Sequence, residues 1–408
     1  MQSSATRVVF WICFLVAMVD GYDTLMLSFI APLISKDWAL APGAFGAIFA
    51  SSYAGAALGA TTIGWAADRF GRKAMLLTSL AIAAVFSVAS AWASGPSQLM
   101  LLRAFAGIGL GGAIPTMSAL TAMHAAPGRR SATVTRMFLG YPVGAMMGGA
   151  ITAAVMLSIG WRGVLLAGGI CASLLVPLVA FGITQSATPD GHAVVRVHSQ
   201  HPLAELVSDG RGLGTVLLCA AVFLVLLVSY FLVSWTPTVL VLNGTSPQRS
   251  ALAGVVLNLG GLVGGLILSW LVGRRSPLVP IAGCLGAGAL LITLLGQGVL
   301  AAESATVAVV FVVGILVIGA QLSFPALSVH FYPPTVSATG VGLSMACGRL
   351  GSIAGPLVGG YLLAAGTGWN WLFLLAALPA AVAALALVVM AAKSTSRAPV
   401  LPQPPEDR

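Results

Sequence analysis

The chain has 408 residues, of which 58% are hydrophobic and 7% are charged, and its mean hydropathy is +1.01. In soluble domains roughly a quarter of all residues are charged. This composition therefore excludes a water-soluble fold and predicts a polytopic membrane protein. A net charge of +9 is typical of proteins that bind nucleic acid. Here the distribution of the basic residues along the chain indicates that they orient the protein in a membrane instead.

Twelve continuous apolar runs are each long enough to cross a bilayer as a helix. Continuous runs favour spanning helices, because the strands of a membrane β-barrel alternate apolar and polar residues. The predicted fold class is therefore an all-α membrane protein with twelve transmembrane helices in two pseudo-symmetric six-helix bundles. The runs cover approximately residues 8–34, 44–66, 74–94, 98–123, 132–157, 163–184, 213–242, 250–272, 277–299, 305–330, 336–365 and 369–391.

The longest polar stretch separates the sixth run from the seventh and divides the chain in two. We predict an N-terminal bundle (1–184), a cytoplasmic linker (185–212), a C-terminal bundle (213–392) and a cytoplasmic tail (393–408). Thirteen lysines and arginines fall on the side of the N-terminus and three on the other side. This bias predicts that both termini face the cytoplasm, in a bacterial-type inner membrane.

The two halves are related in sequence. His124-Ala-Ala-Pro-Gly-Arg-Arg-Ser-Ala-Thr overlays His330-Phe-Tyr-Pro-Pro-Thr-Val-Ser-Ala-Thr at a shift of 206 residues. Gly160-Trp161 then matches Gly368-Trp369 at a shift of 208. Parallel repeats of this kind place the substrate cavity between the halves and permit alternating access.

The first run carries Asp20 and Asp23 near its middle, where an isolated carboxylate is costly. Three residues apart, the two acids share a helix face. Two close carboxylates in a low-dielectric cavity cannot both ionise cheaply, so at least one should take a proton near neutral pH. The pair is therefore the predicted proton-coupling site. The alternative is that one acid statically neutralises Arg103 or Arg349.

The short segment between the second and third runs reads Gly64-Trp-Ala-Ala-Asp-Arg-Phe-Gly-Arg-Lys73. It combines a tight turn that glycine permits, one acid and three cations. The segment resembles the signature loop of the major facilitator superfamily, G-x-x-x-D-R-x-G-R-[RK], at every position. The resemblance implies a conformational gate that does not touch substrate, formed by Gly64, Asp68, Arg69, Gly71, Arg72 and Lys73.

Two arginines are candidates for binding an anion within the membrane. Arg103 opens the run Arg103-Ala-Phe-Ala-Gly-Ile-Gly-Leu-Gly-Gly112, which resembles the R-x-x-x-G-x-G-x-G motif of the same superfamily. It is expected to face inward, with snorkelling to the outer surface as the alternative. Arg349 in the eleventh run is flanked by glycines, and its planar fork suits the carboxylate of an organic anion.

Further polar and aromatic residues on the first, seventh, eighth and tenth runs are candidates for the cavity wall, although each could instead cement helices together. Asn258 and Gln321 are the first choices. The complete set is Tyr22, Tyr230, Trp235, Asn258, Gln321 and Phe324.

Three segments resemble the aromatic acid:proton symporter branch of the superfamily. They are Asp20-Gly-Tyr-Asp23, the Leu-Gly-Gly-Ala-Ile-Pro115 end of the fourth-run motif, and the stretch from Tyr332-Pro to Cys347-Gly-Arg-Leu-Gly351. The resemblance implies proton-coupled uptake of a small aromatic carboxylate, such as a benzoate or hydroxybenzoate, as in aromatic hydrocarbon catabolism.

Two alternatives stay open. Gly351-Ser-Ile-Ala-Gly-Pro-Leu-Val-Gly-Gly360 matches a pattern of drug–proton antiporters, which suggests an exporter, although in those proteins the pattern marks the fifth helix. A transporter-like receptor would bind the acid without moving it.

The sequence contains no nucleotide-binding loop, metal-ligand cluster or nucleophile constellation. We therefore expect a protein that is not an enzyme and needs no cofactor or metal, because the proton gradient drives it. Its expected partners are protons, a small organic anion and membrane lipid, with no nucleic acid, and we expect it to work as a monomer.

Overall fold

The computed structural model describes residues 4–126, 129–183, 206, 211–272, 277–297, 303–333 and 336–395. In this part of the chain the long elements are α-helices, joined by a 3-10 turn at Pro42–Ala44 and a π-helical turn at Gly314–Ile318. The α-helices are α1 Ser4–Asp37, α2 Phe45–Phe70, α3 Arg72–Ser90, α4 Pro96–His124, α5 Arg130–Phe138, α6 Gly140–Gly182, α7 Gly212–Leu242, α8 Pro247–Val272, α9 Leu278–Gly296, α10 Glu303–Val313, α11 Gly319–Phe331, α12 Ser337–Ala364 and α13 Trp369–Thr395.

Each of the twelve predicted runs falls on helix, so the all-α prediction is confirmed. The fifth run begins in α5 and continues into α6, and the sixth run is the second part of α6. Gly160 (φ 67°, ψ 174°) turns the chain between these two runs, at a position where L side chains are strained. The tenth run comprises α10, the π-helical turn and α11. Ten helical segments of the described residues are long and apolar enough to span a membrane, and one of them, Ala132–Gly182, is 51 residues long. The predicted count of twelve is consistent with this.

The membrane-spanning segments are connected at the two ends of the bundle, which therefore has two faces. We call the face where α1 begins and α13 ends the proximal face, and the opposite one the distal face. Which face meets the cytoplasm stays a prediction. The predicted linker and tail lie outside the described residues, apart from residues 206, 211, 212 and 393–395.

Helices of the same half form most of the packing. In the N-terminal half α1 packs on α6, and α4 packs on α2 and α3. In the C-terminal half α7 packs on α12 and α13, and α9 packs on α13. The halves meet where α2 packs on α12, where α1 packs on α7 and α8, and where α6 packs on α8. The exact bounds of the two bundles stay a prediction.

The two halves approach each other closely at the distal face. A Cβ atom at Gly46 of α2 would lie 2.8 Å from the carbonyl oxygen of Pro356 in α12, so only glycine fits there without a shift. Deeper in the bundle, the ring of Phe49 meets Trp235 edge-on at 5.5 Å. We call these contacts between α2, α7 and α12 the distal contact. Because backbone lies against backbone, the distal contact closes this end of the bundle between the halves.

Candidate functional site

The site forms around two acids in the middle of α1, which differ in their surroundings. Asp23 makes an ion pair with Arg103 of α4, in which Nη1 lies 3.2 Å from Oδ2. The Ser87 hydroxyl donates to Asp23 Oδ1 at 2.9 Å and accepts a hydrogen bond from Arg103 Nη2 at 2.9 Å. Arg103 Nε donates to the Ser90 hydroxyl at 3.1 Å. We call Asp23, Ser87, Ser90 and Arg103 the N-half network.

The N-half network satisfies both charges inside one half of the molecule. Arg103 is 2% exposed and Asp23 is 8% exposed, so neither side chain reaches the surface of the protein. Arg103 was expected to face the cavity or to snorkel outward, and the structure instead places it between α1, α3 and α4. The carboxylate pairs with the guanidinium in this conformation, and the roles of Asp23 in proton coupling and of Arg103 in substrate binding stay predictions.

Asp20, nearly one helical turn before Asp23, is buried and interacts electrostatically with Arg349 of α12. Arg349 is half-buried near the middle of its helix. The direct ion pairs found among the described residues do not include one between Asp20 and Arg349. The interaction therefore crosses from one half of the molecule to the other without a direct salt bridge.

Two tyrosines interact with this pair of charges, and a third packs on one of them. Tyr141 of α6 and Tyr230 of α7 both interact electrostatically with Asp20, and Tyr230 also interacts with Arg349. Tyr53 of α2 meets the Tyr230 ring edge-on at 4.7 Å. Tyrosines from both halves thus supply aromatic faces and hydroxyl groups next to the charges.

A cavity between the halves opens beside these residues. Its wall includes Asn258 and Gln321, the two first choices from sequence, together with Tyr141 and Tyr230. We call it the central cavity. Its volume is about 60 Å³, whereas a cavity of about 150 Å³ accommodates benzene. An aromatic ligand would therefore need the wall of the central cavity to move apart.

Three candidates for the cavity wall lie elsewhere in the structure. Trp235 is buried in the distal contact, where its indole nitrogen donates to the Pro356 carbonyl oxygen at 3.2 Å. Phe324 is buried in the apolar core of the C-terminal half. Tyr22 packs inside the N-terminal half, where its hydroxyl donates a hydrogen bond to the Val164 carbonyl oxygen at 3.3 Å. A substrate contact of these three residues stays a prediction.

Four residues at the site were not singled out from sequence, namely Tyr53, Tyr141, Ser87 and Ser90. Ser87 and Ser90 are three residues apart in an apolar run, which is a signal for a shared polar helix face. Tyr53 and Tyr141 carry no comparable signal, because a tyrosine in a spanning helix packs in many ways.

The predicted gate lies at the proximal face, where Gly71 (φ 94°) turns the chain between α2 and α3. Asp68 and Arg72 pair at 3.6 Å on the surface of this turn. Lys73 Nζ donates to the carbonyl oxygen of Ala180 near the end of α6 at 2.7 Å. The other members, Gly64 beside Pro115 and Arg69 beside Phe70, also make contacts within the N-terminal half.

Within the described residues, histidines, cysteines and acids form no group that could hold a metal ion.

Comparison with known proteins places this geometry in context. The model of the Major Facilitator Superfamily matches residues 13–356. The chain is 36% identical over 405 residues to a gallate transporter of Pseudomonas putida, covering 92% of this chain and 90% of that one. It is 33% identical over 413 residues to the 4-hydroxybenzoate transporter PcaK of Acinetobacter baylyi, covering 93% and 89%. It is 35% identical over 369 residues to a 3-(3-hydroxy-phenyl)propionate transporter of Escherichia coli, covering 90% of each.

Solved structures share the fold at low sequence identity. A bacterial homolog of the human lysosomal transporter Spinster, inward-facing and unoccupied, superposes with a TM-score of 0.75 at 16% identity, covering 96% of each chain. A D-xylose-proton symporter superposes with a TM-score of 0.73 at 18% identity, covering 94% of this chain and 97% of that one.

Proposed function

This chain belongs to the major facilitator superfamily, and on that premise we propose that it imports a small aromatic carboxylate together with protons. The superfamily consists of membrane transporters, so the protein is not an enzyme. Three relatives at 33–36% identity are named for gallate, 4-hydroxybenzoate and 3-(3-hydroxyphenyl)propionate. Each of these compounds joins an aromatic ring to a carboxylate, and that shared chemistry defines the proposed substrate class.

The central cavity between the halves carries the proposal, because Tyr141 and Tyr230 of its wall lie beside the charges of Asp20 and Arg349. A guanidinium keeps its charge and binds a carboxylate through two parallel hydrogen bonds. Arg349 is half-buried beside Tyr230, so a substrate carboxylate can bind the cation while the ring contacts tyrosine. Asn258 and Gln321 add amide groups that can bind ring hydroxyls.

The proposed cycle assigns different tasks to the two acids. Asp20 takes a proton while the distal face is open, which releases Arg349 for the substrate carboxylate. The neutralised site then permits the halves to rock, and the distal contact forms. On the proximal side Asp20 loses its proton to the more alkaline cytoplasm and attracts Arg349 again, so that the anion leaves. Asp23 was proposed from sequence as a second coupling group, and its ion pair with Arg103 now supports a positioning role instead.

The remaining proposals concern the setting. We infer a bacterial inner membrane, with the proximal face and both termini in the cytoplasm, because lysines and arginines are concentrated on that side. We further infer two bundles, 1–184 and 213–392, joined by the 185–212 linker and followed by the 393–408 tail, with one chain as the working unit. The proton gradient supplies the energy, and no cofactor takes part.

The exporter alternative rests on the glycine–proline pattern in α12. Three of its glycines, Gly351, Gly355 and Gly359, lie against the backbone or side chains of α7. Close helix packing therefore accounts for this pattern, and import remains the better-supported direction.

Uptake of labelled 4-hydroxybenzoate into proteoliposomes tests the proposal. With an acidic exterior and an alkaline interior, we expect accumulation above the level in protein-free liposomes. That control is essential because the neutral acid crosses lipid by itself. Liposomes that carry Arg349→Gln protein provide the matched control for protein content. Accumulation equal to that of both controls would overturn import, net extrusion would identify an exporter, and saturable binding without movement would identify a receptor.

A further inference from the structure

The helices α1 and α7 end in the same turn at the distal face. In α1, the amide of Trp38 donates to the Ile34 carbonyl at 2.9 Å, and that of Leu40 donates to Ser35 at 2.9 Å. In α7 the corresponding bonds run from Asn243 to Val239 at 3.1 Å and from Thr245 to Leu240 at 3.0 Å.

Both turns contain a residue with positive φ, Ala39 at 50° and Gly244 at 86°. The two turns therefore correspond residue by residue at a shift of 205, which pairs Trp38 with Asn243. The start of the last helical span in each half corresponds as well, since Gly160-Trp161 and Gly368-Trp369 align.

In the N-terminal half an aromatic ring and a carboxylate occupy the space beside Trp161. The Trp38 ring meets the Trp161 ring edge-on at 5.1 Å. Asp37 Oδ2 accepts hydrogen bonds from the Trp161 indole nitrogen at 3.1 Å and from Arg162 at 3.2 Å. Trp38 and Asp37 thus place an aromatic ring and a carboxylate against Trp161.

In the C-terminal half both groups are missing from the corresponding space. Asn243 stands where Trp38 stands in the other half, and a cavity of about 690 Å³ opens there. Its wall contains Trp369, the counterpart of Trp161, together with Phe373, Thr245 and Arg249. We call it the distal cavity. Ligand pockets commonly enclose about 300–1,000 Å³, so this volume suits a small molecule.

We propose that the distal cavity is a second binding site for an aromatic carboxylate, separate from the central cavity. The ligand ring takes the place of Trp38 and packs on Trp369, and its carboxylate accepts hydrogen bonds from Arg249 and the Asn243 amide. Arg249 is the charged group among the described residues of the wall, and it is exposed. The ligand class rests on the proposed function, whereas the site itself rests on the difference between the two halves.

Binding stoichiometry tests the second site. Equilibrium dialysis of the full chain in lipid nanodiscs against labelled 4-hydroxybenzoate is expected to give two bound equivalents. Asn243→Trp refills the cavity with the ring found in the other half and should leave one. Arg349→Gln weakens the central site by about ten-fold or more, so it should also leave one high-affinity equivalent, and the combined variant should leave none.

Two further variants test the distal cavity independently, in case Asn243→Trp fails to fold. Trp369→Leu removes the aromatic platform, and Arg249→Gln removes the cation, so each should weaken the second equivalent about ten-fold or more. Trp371→Leu is the matched control, because Trp371 lies two residues further on α13 and is 63% exposed. It should leave both equivalents unchanged.

The outcomes separate this inference from the proposed function. Equal stoichiometry and affinity in the native protein, Asn243→Trp and Trp369→Leu, with uptake intact, would overturn the distal site alone. A native protein that neither binds nor accumulates 4-hydroxybenzoate would overturn the ligand class and therefore both proposals.

Discussion

Asp23 Oδ2 lies 3.2 Å from Arg103 Nη1 inside the N-terminal half, and both side chains are almost completely buried. Asp20, on the same helix, instead interacts with Arg349 of the opposite half. The two acids look alike in sequence but interact with different arginines. We therefore expect different effects when each acid is replaced.

Neutralising Asp23 should destabilise the protein. Asp23→Asn leaves the Arg103 charge buried without its counter-ion, and breaking a buried pair in this way costs about 3–5 kcal/mol. Thermal unfolding of the purified protein in detergent should show a clearly lower Tm. The double variant Asp23→Asn, Arg103→Gln should recover much of the loss. Arg72→Gln, which breaks the exposed pair with Asp68, is the control and should change Tm little. A Tm for Asp23→Asn equal to that of the native protein would contradict the importance of the pair.

Neutralising Asp20 should uncouple transport from protons. Asp20→Asn cannot exchange a proton, so a pH gradient should no longer drive accumulation in proteoliposomes. Exchange of labelled for unlabelled 4-hydroxybenzoate at equal pH should persist, because it needs no net proton movement. Asp20→Glu, which keeps a titratable group, is the matched control and should retain part of the coupling. Gradient-driven accumulation by Asp20→Asn at the native level would exclude Asp20 as the coupling group.

Replacing Arg349 should weaken substrate binding, and the loss should be larger when the charge is removed than when only the planar fork is removed. Arg349→Gln removes the charge, and we expect binding to the central site to fall by at least about ten-fold. Arg349→Lys keeps the charge but loses the planar fork, so an intermediate affinity is expected. Isothermal titration with 4-hydroxybenzoate in the Asn243→Trp background measures the central site alone. Leu350→Ala changes a neighbouring side chain that is 61% exposed, and it should bind normally. Equal affinities for all variants would place the central anion site elsewhere.

Enlarging Gly46 should hold the distal face open. The Cβ of any larger residue would lie 2.8 Å from the Pro356 carbonyl oxygen, so Gly46→Leu cannot form the distal contact without displacing α12. Spin labels at Lys36→Cys and Asn370→Cys, in a chain that lacks its five native cysteines, should show a longer distance between the halves. Gly95→Leu is the matched control, since a Cβ at Gly95 meets nothing within 4 Å. Identical distance distributions for both variants would show that Gly46 does not limit closure.

The local features of the site were predictable from sequence to different degrees. Asn258 and Gln321 were chosen as polar groups in apolar runs, and both line the central cavity. Trp235 and Phe324 were chosen on the same grounds, yet both are packed in apolar surroundings. Residue type and helix face do not distinguish these cases, because the neighbour that covers a face comes from a distant part of the chain.

The sequence by itself determined the membrane-spanning helices, the relation between the halves and the gate motif. These properties depend on the length of apolar runs and on residues close together in the chain, and the family prediction made from them is confirmed. Only the tertiary structure decided that Asp23 pairs with Arg103, 80 residues away, and that Asn243 faces a cavity where Trp38 fills its counterpart. Helix packing brings such residues together by shape and close backbone approach, which no short stretch of sequence encodes.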